Sequence, residues 1–154
     1  MKYSFKIDLL IIQATPLGIG IKTGGRSFVP IIPRNTPLPI RKEKTFTTVH
    51  DNQTEALIMV YEGEQPNEEQ KRLLGYFKLT RLPPSPRGIP EINVCMDIDT
   101  MNVLRVLVGV TLPGNQQPVA PLVEVRMPNV DDGHGWCAEA LDRTYGSTLD
   151  LELK

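Results

Sequence analysis

Glu91-Ile92-Asn93-Val94-Cys95-Met96-Asp97-Ile98-Asp99 is the stretch on which the fold class turns. Ile92, Val94, Met96 and Ile98 fall on one side of an extended chain, and Glu91, Asn93, Cys95, Asp97 and Asp99 on the other. An alternation with a period of two describes a half-buried strand, one face on a core and the other wet. Thr100-Met101-Asn102 then turns the chain, and Val103 to Val110 follows as its hairpin partner.

The same grammar continues outward on both sides. Upstream, Leu73 to Thr80 reads as a strand closed by the stiff segment Pro83-Pro84-Ser85-Pro86-Arg87-Gly88, and the charged stretch Glu64 to Arg72 as a surface loop. Ala56-Leu57-Ile58-Met59-Val60-Tyr61 is a continuous apolar run, as expected of a strand covered on both faces. Thr45 to Val49 has strong β-propensity and leads into the polar turn Asp51-Asn52-Gln53. Leu17-Gly18-Ile19-Gly20-Ile21 alternates apolar residues with glycine, Gly24-Gly25 is a turn, and Ser27 to Ile32 is a second short strand. Arg34-Asn35-Thr36-Pro37-Leu38-Pro39 is kept out of a sheet by two prolines that lack ladder donors. Downstream, Pro113-Gly114-Asn115 opens a loop and Leu122 to Met127 resumes strand character. Trp136 to Tyr145 suits a short helix, and Thr148 to Leu153 alternates again as a last strand.

About eight short strands punctuated by 14 prolines and 12 glycines predict an all-β fold, an antiparallel sandwich. At 154 residues the chain is one domain with a real core. A formal net charge of −1, with basic residues scattered, gives no electrostatic footprint for nucleic acid. Asp8 limits the apolar run to Leu9–Ile12, no cleavage site follows it, and no window reaches the length of a membrane span. Cys95 and Cys137 make no disulfide framework, so a reducing, cytoplasmic setting with free thiols is expected.

Chemistry beyond binding finds little support. His50 and His134 are the two histidines. Asp131, Asp132, His134 and Cys137 are close in sequence, but they lack the paired cysteine and histidine spacing of a zinc site. Gly24-Gly25 is followed by no Gly-Lys-Ser/Thr element and is not a phosphate loop. Asp97 and Asp99 read as turn-flanking surface. The expectation is no enzyme, no metal and no cofactor.

Taken in order, a set of short segments resembles the substrate-binding β-domain of the seventy-kilodalton heat-shock (DnaK-like) chaperones of eukaryotic cytosolic type. They are Asp8-Leu9-Leu10, Thr15-Pro16-Leu17, Arg34-Asn35-Thr36, Thr45-Phe46-Thr47-Thr48, Asp51-Asn52-Gln53, Val60-Tyr61-Glu62-Gly63-Glu64, Leu73-Leu74-Gly75, Pro84-Ser85-Pro86-Arg87-Gly88 and Asp97-Ile98-Asp99. The likeness runs from Asp8 to about Val110, and the tail from Thr111 matches poorly. It implies a linker-like segment over 1–13, a peptide-binding sandwich over 14–127 and a diverged tail over 128–154. It further implies that the sandwich has two four-stranded sheets, with a channel between loops at one end, threaded by an extended apolar client with one side chain in a central pocket. The peptide-binding positions would be Ile19, Ile21, Thr23, Phe46, Thr47, Gln53, Ala56 and Ile58, with Gly24 and Val49 at the two positions that arch over the client.

Departures from the family pattern bear on regulation. No stretch resembles the nucleotide-binding domain, and the lid helices are not encoded beyond Trp136 to Tyr145. Gln13 replaces an acidic residue before the Thr-Pro pair, Gly24 and Val49 thin the arch, and Ala56 stands where the family has valine. Arg87 and Asp51, which latch the lid in the family, are expected to be ordinary surface charges. The expected partners are unfolded polypeptide segments bound without ATP-driven cycling. Self-association through Leu9 to Ile12 as a pseudo-client is a further expectation. The alternative is a degenerate chaperone fragment with an unused groove, acting as an interaction or regulatory module for co-chaperones or other chaperone chains.

Overall fold

A computed structural model describes residues 14–24, 27–63, 72–114, 122–127 and 149–154. The described residues form nine strands: β1 (Ile19–Thr23), β2 (Ser27–Ile32), β3 (Ile40–Thr48), β4 (Ala56–Glu62), β5 (Arg72–Leu79), β6 (Glu91–Ile98), β7 (Leu104–Thr111), β8 (Val123–Met127) and β9 (Leu151–Leu153). They build a four-stranded sheet in the order β2-β1-β4-β5 and a five-stranded sheet in the order β8-β7-β6-β3-β9, with every pair antiparallel. The antiparallel sandwich expected from the sequence is therefore the fold. One sheet has a strand more than expected, because β9 joins the edge of β3.

The deciding stretch keeps its pattern. Ile92, Val94, Met96 and Ile98 are all buried in a single core cluster, with Val106, Val108 and Val110 from the adjacent β7. Cys95 departs from the expected wet face and is buried. The Arg41 side chain on the paired strand reaches across and donates from Nε to Cys95 Sγ at 3.0 Å, which shields the thiol from water. On that outer face Asp97 takes a fork from Arg105, Nε to Oδ1 at 2.9 Å and Nη2 to Oδ2 at 3.1 Å. Asp99 Oδ1 accepts from the amides of Met101 and Val103 and so closes the β6–β7 turn. Both aspartates are turn and surface groups, as read from the sequence.

Asn52 and Asn102, in two expected turns, and Asn35, in the segment expected outside the sheets, all have positive φ, a conformation asparagine tolerates better than most residues. The Arg34-Asn35-Thr36 turn is pinned to the Thr15-Pro16 segment. Thr15 Oγ1 donates to Pro33 O at 2.7 Å and accepts from Thr36 N at 3.0 Å. Pro30 sits on the edge strand β2, where a missing donor costs the sheet nothing. Opposite it, Gly20 is required: a Cβ there would lie 2.2 Å from Val29 O and 2.7 Å from Pro30 Cα.

β3 begins at Ile40, five residues before the Thr45 expected from propensity. Arg41, Lys42 and Glu43 are exposed and poor strand formers in isolation, so register with β6 carries them into the sheet. The expectations for Leu9 to Ile12, Glu64 to Lys71, the Asp131–Cys137 cluster and the Trp136 to Tyr145 helix lie outside the described residues.

Candidate functional site

One pole of the sandwich gathers the end of β1, the end of β3, the β3–β4 loop and the Pro83–Pro90 segment. Local chemistry fixes each of these. Gln53 is buried and uses its whole amide: Oε1 accepts from Val49 N at 3.0 Å and His50 N at 3.3 Å, and Nε2 donates to Glu55 O at 2.8 Å. The β3–β4 loop is thereby wrapped around a single side chain. Thr47 Oγ1 donates to Pro90 O at 2.7 Å, and Gly88 N donates to Thr48 Oγ1 at 3.3 Å. Asp51 Oδ1 accepts from Arg87 N at 2.8 Å, which ties the Arg87-Gly88 turn to the same loop.

The segment 149–154 runs through this pole. β9 pairs with β3 in the register Thr48↔Leu151, Thr47↔Glu152 and Phe46↔Leu153. Leu57 N donates to Leu149 O at 2.9 Å, Gln53 Nε2 to Asp150 O at 3.1 Å, and Lys154 N to Thr45 O at 3.1 Å. Main-chain bonds at both ends and in the middle thus hold an extended segment independently of its sequence. On the opposite flank stands Gly24, whose Cβ would make ordinary contact with Leu151 O at 3.7 Å.

Five of the sequence-predicted positions share one apolar core with this segment. Ile19, Ile21, Phe46, Ala56 and Ile58 belong to the core cluster that also contains Leu151. Leu151 is completely buried, as are Ile21, Phe46, Ala56 and Ile58. Removing one leucine side chain from water contributes on the order of 1.5–3 kcal/mol, more than any exposed ion pair nearby. Thr23, Gly24 and Val49 border a cleft of about 320 Å³ that also touches His50, Arg87, Asp150, Glu152 and Leu153. The two arch positions therefore leave open space over the segment. Leu151 is buried in the same core as Phe46 and Ile58, on the segment that pairs with the second half of β3.

Charged groups complete the site, and sequence reasoning did not assign them to it. Lys22 Nζ lies 4.0 Å from Asp150 Oδ1, with both side chains mostly shielded. Arg87 Nη2 lies 3.3 Å from Glu152 Oε2 in a more open setting. Lys154 Nζ donates to Ile89 O at 3.1 Å and lies 3.5 Å from Glu91 Oε1. Arg87 and Asp51 are surface charges, as expected, and each also makes a contact at the pole, Arg87 with Glu152 on the inserted strand and Asp51 with the Arg87 amide. The alternation of Thr148 to Leu153 signalled a strand, but its partner, about a hundred residues away, leaves no mark in local pattern. Among the described residues no three His, Cys, Asp or Glu side chains group as metal ligands, and no helix is long and apolar enough to cross a membrane.

Comparison with known proteins gives a consistent kinship. The profile of the family described as Hsp70 protein matches residues 4–121. "Heat shock 70 kDa protein 8" of Arabidopsis thaliana is 62% identical over 145 residues, which covers 94% of this chain and 26% of that protein. "Chaperone protein DnaK" of Thermotoga petrophila is 50% identical over 99 residues, 64% of this chain and 17% of that one. "Heat shock 70 kDa protein" of Emericella nidulans is 43% identical over 99 residues. The chain spans about a quarter or less of the length of these relatives. The Arabidopsis match extends the likeness through the tail that the motifs alone left unmatched beyond Thr111.

Proposed function

Because the chain belongs to the Hsp70 protein family, we propose that it is a chaperone-type binding module that holds extended segments of unfolded polypeptide along the second half of β3. One observation carries this reading. Leu151, in an extended segment paired with β3, is fully buried in the same core cluster as Ile21, Phe46, Ala56 and Ile58, the positions the resemblance assigns to a client pocket. The site holds a stretched backbone with one apolar anchor, and β9 occupies it as a client would.

The physics suits a promiscuous, weak binder. Backbone hydrogen bonds to Thr45 and Leu57 and the ladder along Phe46–Thr48 are open to any sequence, so selectivity starts from the apolar anchor. Within this chain exchange is set by the groove alone, with no ATP-driven step, and the setting is cytoplasmic. An incoming peptide competes with β9, so its apparent affinity falls by the fraction of molecules whose groove is free.

That competition supplies the test. A fluorescent heptapeptide with a central leucine is titrated into the full chain and into Leu151→Asn. The expected outcome is micromolar binding to the variant and at least tenfold weaker binding to the parent. Absence of binding to a folded Leu151→Asn chain would sink the proposal.

A second reading has its own observation. With Leu151 fully buried in the groove, the family's site is self-occupied, which suits a module that meets co-chaperones or other chaperone chains through other surfaces. Under that reading pull-downs recover folded partners equally from the parent and from Leu151→Asn.

A further inference from the structure

The segment inside the groove carries more than a leucine. Asp150-Leu151-Glu152-Leu153-Lys154 alternates charge with apolar side chains, and each charged residue meets its opposite. Asp150 faces Lys22, Glu152 faces Arg87, and Lys154 faces Glu91. The cations and the anion that receive the segment come from three separate parts of the chain: β1, the Pro83–Pro90 segment and β6. Three matched signs from independent elements amount to a pattern read by the groove.

We infer that this groove selects extended polypeptide segments in which the buried leucine has an acidic residue on each side, and that Lys22 and Arg87 are the residues that set this preference. The inference rests on the proposed use of the groove for polypeptide. The two cations are not equal. The side chains of Lys22 and Asp150 are 15% and 18% exposed, whereas Arg87 and Glu152 are 60% and 39% exposed. Water and salt screen the second pair far more, so Lys22 carries the larger share even at its longer distance. Each flank then shifts affinity by roughly two- to fivefold. Basic flanks would bring like charges together at both positions and reverse the sign.

The test compares two fluorescein-labelled heptapeptides on the full chain at low ionic strength. One copies residues 148–154, Thr-Leu-Asp-Leu-Glu-Leu-Lys; the other has lysine at both acidic positions. β9 competes equally with both, so the ratio of their apparent affinities reports the groove's own preference. The acidic peptide is expected to bind about fivefold tighter or more, with the ratio shrinking as salt is added. Lys22→Gln should bring the ratio close to that of Arg87 alone, Lys22→Glu should invert it, and Lys22→Arg should restore it. Equal or tighter binding of the lysine peptide, or a ratio unmoved by Lys22→Glu, overturns the inference and leaves the groove intact. If neither peptide binds a folded Leu151→Asn chain, the underlying proposal fails and the inference falls with it.

Discussion

The two halves of β3 lie on one strand and one sheet edge, yet they treat that edge in opposite ways. From Ile40 to Lys44 the strand pairs with β6 and, among the described residues, with no strand on its other side. Arg41, Lys42 and Glu43 there are exposed. From Phe46 to Thr48 the residues are buried and the strand has partners on both sides, β6 through Phe46 and β9 along all three. An open edge is a template for foreign strands, and charged side chains are the usual guard against it. The first half is guarded. The second is left receptive, with Phe46 beneath it, and a segment has docked there. Strand addition is thereby confined to Phe46–Thr48, beyond the charged first half of the strand.

The change expected to break this contrast most deeply is Leu151→Asn. It places an amide in the apolar core and removes the anchor, so β9 should leave the edge at a cost of about 2–3 kcal/mol. The amide of Leu57, which donates to Leu149 O, should then exchange with solvent tens of times faster while the β6 and β7 amides stay protected. A Leu57 amide still slow in the variant would mean that the ladder, not the leucine, holds the segment.

A smaller effect should follow from removing the guard. In the quadruple substitution Arg41→Thr, Lys42→Thr, Glu43→Thr and Lys44→Thr the first half gains β-propensity and loses its charge. Concentration-dependent self-association by sedimentation is the expected result. A monodisperse variant would show that something other than charge protects the edge.

The smallest concerns the arch. Gly24→Ala adds a methyl at ordinary contact distance from Leu151 O, beside the cleft of about 320 Å³. Peptide dissociation should slow by about twofold, within the range of one added methyl group. Acceleration would mean that the hairpin tip must swing inward to hold its guest.

Much of the sandwich could be read from residues because its strands are half-buried and alternate. Ile92, Val94, Met96 and Ile98 announce a core face by themselves, and Asn52 and Asn102 announce turns. The first half of β3 was missed because Arg41-Lys42-Glu43-Lys44 has no apolar period: what makes it a strand is register with β6. The proposed pocket positions rest on kinship alone, since Ile21, Phe46 and Ile58 look like any buried β-residue. Lys22, Arg87 and the place of β9 were hidden for a different reason. They depend on contacts spanning 65 to about 130 residues, and no local window records which charges such a closure brings face to face.

The position of Cys95 gives the sheet a clock of its own. Its sulfur is roofed by the Arg41 guanidinium on the guarded half of β3. Alkylating reagents need the thiol bared, so in a chain with Cys137 replaced by serine the modification rate counts how often the Arg41 side chain swings off the sulfur. A guest that comes and goes without quickening that count leaves the outer face of the sheet undisturbed; one that quickens it is felt through β3 on the far side.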